Sequence, residues 1–172
     1  DSLRLYPFIG LVIIGILFLA FRTTRGIFIP LFVVIGSVII ALGSMASFGI
    51  PMYIISSALP IILIAIGVAD GIHIISAYYE ELALRPHSKK RPPVVRAMNE
   101  LWGPILFTSL TDAAGFSALA AVSFMPPMRA FGTFAAIGAV AAGAFSLFTL
   151  PAILVLLPVK PSPAFKAHSR ER

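Results

Sequence analysis

The chain has 172 residues, 59% of them hydrophobic and only 12% charged. A water-soluble domain is about 45–50% apolar and about 25% charged, so a soluble globular fold is excluded, and so is disorder, which needs low hydrophobicity. There is no cysteine, which removes disulfides, thiolate metal sites and cysteine nucleophiles, and the net charge of +6 takes its meaning from where the charges fall.

Five apolar stretches follow one another at 5–21, 27–48, 53–79, 98–124 and 131–157. Each is near or above the about 20 residues that a helix needs to cross a bilayer. They run without the in-out alternation of membrane barrel strands, so they read as helices. The expected architecture is all-α: a polytopic five-helix bundle over 1–159, followed by a basic cytoplasmic tail at 160–172. Pro60 and Pro151 interrupt two of the runs, which membrane helices tolerate with a kink. No secretory leader pattern precedes them, since Asp1-Ser2-Leu3 lacks a basic start.

The basic residues sort by connection. Arg22, Arg25, Arg85, Lys89, Lys90, Arg91, Arg96, Lys160, Lys166, Arg170 and Arg172 fall on one side, and Arg4 and Arg129 on the other. Positive charge marks the cytoplasmic side. This places the connections after the first and third spans, and the tail, in the cytoplasm of a plasma (inner) membrane protein. The Ser88-Lys89-Lys90-Arg91-Pro92-Pro93 cluster is then a topology determinant that can also meet anionic lipid. Nucleic acid is not an expected partner, because no aromatic platform or recognition motif accompanies the charge. Tyr6 and Tyr53 mark the outer interface, and Tyr78, Tyr79 and Trp102 the inner one. Five spans put the N-terminus outside, so the chain is expected to be part of a larger protein with an earlier span and an external domain.

Within the third and fourth spans lie Asp70, His73 and Asp112. An acid at mid-membrane costs about 2.5–3.5 kcal/mol on insertion scales, and such residues are functional by default. Asp70 lies nine residues before Tyr79 and Asp112 ten after Trp102, depths of about 13 and 15 Å from the inner interface. Asp70 and His73 share a face. Thr108, Thr111, Asp112 and Gly115 make one polar stripe with a close-approach glycine. Two nearby carboxyls in a low-dielectric site resist joint ionisation, so the pair can take up and release a proton, with His73 able to pass it on. Asp70, His73 and Asp112 are therefore the expected proton relay, with Gly67, Thr108, Ser109, Thr111 and Gly115 as supporting polar or close-packing positions. No metal site is expected, since His87 and His168 fall in cytoplasmic segments, and no cofactor is implied. Ala135, Ala139 and Gly143 recur every four residues along the last span, a pattern that lets helices approach closely.

Ile66-Gly67-Val68-Ala69-Asp70-Gly71-Ile72-His73-Ile74-Ile75 with Tyr78-Tyr79-Glu80-Glu81 resembles the fourth-helix segment of the resistance–nodulation–division superfamily of exporters, especially its mycobacterial-membrane-protein-large, lipid-exporting branch. Gly103-Pro104-Ile105-Leu106-Phe107-Thr108-Ser109-Leu110-Thr111, then Ala113-Ala114-Gly115-Phe116, resembles the fifth helix of those pumps. Arg129-Ala130-Phe131-Gly132 with Leu150-Pro151-Ala152-Ile153-Leu154 resembles the sixth. The resemblance implies a membrane domain driven by the proton gradient, exporting lipids or other hydrophobic molecules. Its partners would be membrane lipids, protons and the missing half or external domain of the same transporter. Two departures stand out. Where many members carry a second polar residue beside the fourth-helix acid, this chain has Ala69 and Gly71. Where a threonine is common, it has Asp112. The same five-helix unit occurs in sterol-sensing domains, which bind or sense lipid without pumping. An enzyme is not expected: Ser109 and Ser117 have no histidine base on their span, and no nucleophile elbow appears.

Overall fold

Where no water is available, an apolar segment closes its backbone hydrogen bonds within itself by coiling into a helix. The structure, a computed structural model, describes residue 15 and residues 24–84 and 91–156. Among these, α1 spans Thr24–Ser47, a 3-10 turn Ile54–Ala58, α2 Leu59–Leu84, α3 Arg91–Val122 and α4 Pro126–Ala144. A π-helical turn, Phe145–Thr149, and α5, Leu150–Leu156, complete the order. Four stretches are long and apolar enough to cross a membrane: Pro30–Ser47, Ile54–Leu82, Pro93–Val122 and Pro126–Leu156. These correspond to the second to fifth expected spans, so the all-α, polytopic reading holds for the described chain. The first expected span, at 5–21, and the tail at 160–172 fall outside the described residues, apart from residue 15.

Two helices outrun their apolar stretches. α2 continues to Leu84 and α3 begins at Arg91, because helices that leave a bilayer stay hydrogen-bonded and simply become polar. The added turns carry an ion pair between Arg96 and Glu81, 3.6 Å apart, which ties the two helices at that end. Pro60 does not interrupt α2. It is the second residue of α2, in the first turn, where a missing N–H costs no intrahelical bond. Tyr78 and Tyr79, read from the sequence as interfacial belt residues, are buried in the core with their rings 6.0 Å apart. Trp102 is exposed, as a belt residue should be.

At the opposite end α1 closes on Gly49, which has φ +64°. That left-handed position, natural to glycine, lets the Gly49 and Ile50 N–H groups bond back to Ala46 and Met45 and cap the last turn.

α4 packs against α1, α2 and α3, and its small residues explain how. A Cβ on Gly132 would come within 2.6 Å of the Phe116 carbonyl oxygen on α3, and one on Gly138 within 2.6 Å of Leu63 on α2. Ala135, Ala139 and Ala142 are fully buried. The expected small-residue stripe is therefore the seam on which the other helices close. Two apolar clusters fill the bundle. One, toward the Arg96 end, holds Ile74, Ile75, Tyr78, Tyr79, Ile105 and Leu154; the other, toward the Gly49 end, holds Met45, Leu59, Phe131 and Phe134. Asp70 falls between them in level along α2.

Candidate functional site

The site begins with a proline. Pro151 has no N–H for the carbonyl four residues earlier, and its ring crowds that carbonyl in α-helical geometry. The chain answers with the π-helical turn Phe145–Thr149 immediately before it, in which the Leu150 N–H bonds to the Phe145 oxygen five residues back. Such single turns recur at functional sites because they re-aim side chains. Here the turn sets the Phe145 ring on Gly36 of α1, where a Cβ would lie 2.8 Å from the ring. It also directs Ser146 inward, with no exposure at all.

Asp70 faces it from α2. Its neighbours hold the backbone deep. A Cβ on Gly71 would stand 2.6 Å from Pro30 Cβ, and one on Gly67 3.0 Å from Val34. α1 and α2 therefore meet almost backbone to backbone on either side of the acid. The position beside Asp70 is glycine because a side chain there would strike Pro30. Asp70 is 7% exposed, and the Ser146 hydroxyl lies close enough to its carboxyl to interact with it. Neither Ser146 Oγ nor Asp70 Oδ2 has a hydrogen-bond partner at good geometry.

α3 supplies the rest. Ser109 is buried, 6% exposed, its Oγ also without a partner. It sits against Gly143, where any side chain would collide with the hydroxyl. One turn on, on the same face, Asp112 is half-buried and its charge interacts with that of Asp70. Asp70 and Ser146 thus face one another where α2, α3 and the π turn converge, with Asp112 in charge range of Asp70 and Ser109 one turn before Asp112 on α3. Of the six buried polar atoms without hydrogen-bond partners among the described residues, Asp70 Oδ2 and Ser146 Oγ face one another and Ser109 Oγ lies on the neighbouring helix. Buried polar atoms nearly always find partners, so a facing unsatisfied pair marks a place suited to water or a mobile proton.

The remaining sequence-predicted residues fall elsewhere. His73 interacts with Asp70 through charge but lies on the exposed side of α2. Thr108, Thr111 and Gly115 are exposed. The Thr108 hydroxyl donates to the Ile105 carbonyl at 3.0 Å, and that of Thr111 to Phe107 and Thr108 at 3.0 and 2.8 Å. Hydroxyls in helices often bond back this way, and in doing so these two spend their protons on their own backbone and not on Asp112. Among the described residues nothing lies within 4 Å of a Cβ on Gly115, so its expected close approach is not made by the described helices. Ser146, which the residue-by-residue reading passed over, had a signal: it lies three residues after Gly143 and extends the Ala135-Ala139-Gly143 face.

No curated protein and no solved structure matches the chain. Residues 21–158 match the family described as the sterol-sensing domain of SREBP cleavage-activation. The matched region takes in all four described spans and the whole Asp70 cluster, so this chain belongs to the sterol-sensing domain family, a multi-pass membrane unit whose role is tied to membrane lipids.

Proposed function

We propose that this chain is the membrane domain of a proton-driven exporter of lipids or other hydrophobic molecules, in which Asp70 carries the proton and Asp112 shares its site. The observation that carries the reading is Asp70 itself: an acid buried in a membrane-length helix, one oxygen unpartnered, beside the unpartnered Ser146 hydroxyl and in charge range of a second acid. A purely structural carboxyl would have both oxygens satisfied. Ionised, Asp70 can accept a hydrogen bond from Ser146; protonated, it can donate one to the same oxygen. Each proton taken up or released then reverses a hydrogen bond between α2 and the π turn. The preceding residue, Phe145, is packed on α1, so that reversal has a path to a third helix.

A second reading stands beside it. The family match is equally compatible with a lipid-binding or lipid-sensing module that moves nothing. The two readings differ on whether Asp70 must titrate. Asn keeps the size and hydrogen bonding of Asp but carries no exchangeable charge. In cells, Asp70→Asn in the full-length protein is expected to insert normally and lose gradient-driven export, while Asp70→Glu retains part of it. Export at the wild-type rate in Asp70→Asn would sink the exporter reading and leave the sensor.

A further inference from the structure

At the Gly49 end of the bundle, where α1 runs into the 3-10 turn and α3 into α4, an open groove of about 590 Å³ lies between the two connections. Its volume falls within the about 300–1,000 Å³ of ordinary small-molecule sites. Its walls are apolar: Phe48, Phe124, Phe134 and Ile137, with the Phe48 and Phe134 rings 6.3 Å apart. One cation stands in it, Arg129, in the first turn of α4.

Arg129 is exposed and, among the described residues, makes no ion pair. The carboxylates nearest in sequence on the described helices are Asp112, Glu100 and the Glu80–Glu81 pair, all at mid-span or toward the opposite end. The start of α4 adds no free donor of its own. Pro126 and Pro127 have no N–H, and those of Met128 and Arg129 both bond to the Met125 carbonyl. The Thr133 hydroxyl is occupied as well, donating to the Arg129 carbonyl at 2.9 Å. Among the described lining residues, polar recognition therefore falls to the Arg129 guanidinium, with the Tyr53 phenol the other side chain able to donate. Ile137 lies two turns deeper on α4 than Arg129, about 12 Å along the helix. The groove thus offers a cation at the membrane interface and an apolar channel running toward the membrane interior.

We propose that this groove binds a single anionic phospholipid of the leaflet at that end, its phosphate on Arg129 and an acyl chain along Phe134 and Ile137. A guanidinium forms charge-assisted hydrogen bonds with phosphate oxygens. Among the described residues no carboxylate stands beside Arg129 to pair the second charge of a zwitterionic head, so the one formal charge lining the groove favours a head with net negative charge. The site is separate from the Asp70 cluster and needs no proton gradient, so its failure and that of the exporter reading can be told apart.

The test uses the full-length protein in phosphatidylcholine nanodiscs containing a trace of phosphatidylglycerol with a diazirine in its acyl chain, and in parallel the matching phosphatidylcholine probe. After photolysis, labelled residues are mapped by mass spectrometry. The phosphatidylglycerol probe is expected to label 48–53 and 130–137 and the phosphatidylcholine probe to label them far less. Arg129→Gln should lower the labelling about tenfold, the weight of one charge-assisted contact, and Arg129→Lys much less. Ala130→Trp, which fills the groove and keeps the charge, should lower it too, and Asp70→Asn should leave it unchanged. Equal labelling by both probes, or undiminished labelling in Arg129→Gln, would overturn the anionic specificity. A groove left unlabelled by either probe would overturn the site itself and mean that another protein segment or a second copy covers it.

Discussion

A buried carboxyl facing a buried hydroxyl is a reciprocal pair, and Ser146 matters because it has nothing else to do. Its Oγ is inaccessible and has no other partner, so truncating it changes the surroundings of Asp70 and little besides. Ser146→Ala is expected to stay folded in detergent, within about 1 kcal/mol of wild type, since a weakly made hydrogen bond contributes little net stability. Its transport rate should fall all the same. The informative comparison is the double variant. If the hydroxyl acts only through the acid, Asp70→Asn with Ser146→Ala should export no less than Asp70→Asn alone, a non-additivity that marks residues working as one unit. Additive losses in initial export rate would place Ser146 outside the relay and return it to a packing role.

At the scale of whole helices, the glycines separate contacts made within this chain from contacts left open. A Cβ on Gly132 would press on backbone atoms of α3, the Phe116 oxygen and the Ala120 nitrogen at 2.6 and 2.8 Å, and backbone cannot swing aside. Gly132→Ala should therefore destabilise the bundle by about 1–3 kcal/mol, the usual cost of overpacking, seen as a lower unfolding temperature in detergent. Gly115→Ala meets open space and should leave that temperature unchanged or slightly higher. If Gly115→Ala abolishes function in cells while leaving the isolated chain stable, the exposed face of α3 is where something beyond the described helices packs. These contrasts also show what the sequence could reveal. Helix class and the second to fifth spans were legible because long apolar runs admit one structure in a membrane. Asp70 and Asp112 were legible because an acid there is costly, and the Ala135-Ala139-Gly143 seam because its spacing is regular. The π turn was not, since Pro151 announces a break without saying whether the helix kinks or widens, and Ser146 depends on that choice. That Thr108, Thr111 and Gly115 lie exposed while Asp112 is half-buried was not legible, because periodicity gives a shared face but not the direction in which the face points.

For the whole molecule the open question is which way it sits, and charge supplies the answer to test. Read from the sequence, the basic residues are expected to divide eleven to two between the two sides of the membrane, and the helix ends on the richer side carry the Arg96–Glu81 pair. The positive-inside bias acts through short connections flanking spans, as the segment around Lys89 and Lys90 does. That end should therefore lie in the cytoplasm and the Phe48–Tyr53 and Ser123–Met125 connections outside. The chain has no cysteine, so single cysteines give an unambiguous readout. In intact cells an impermeant thiol reagent should label Met125→Cys, whose parent side chain is exposed, and should reach Ser88→Cys only after permeabilisation. The opposite pattern would invert the bundle and move the Arg129 groove into the cytoplasmic leaflet, which is richer in anionic lipid. It would also set Asp70 nearer the outer surface, so that a proton arriving from outside would meet it early in its path. The exporter reading would then fail on direction alone, whatever the chemistry of the Asp70 cluster.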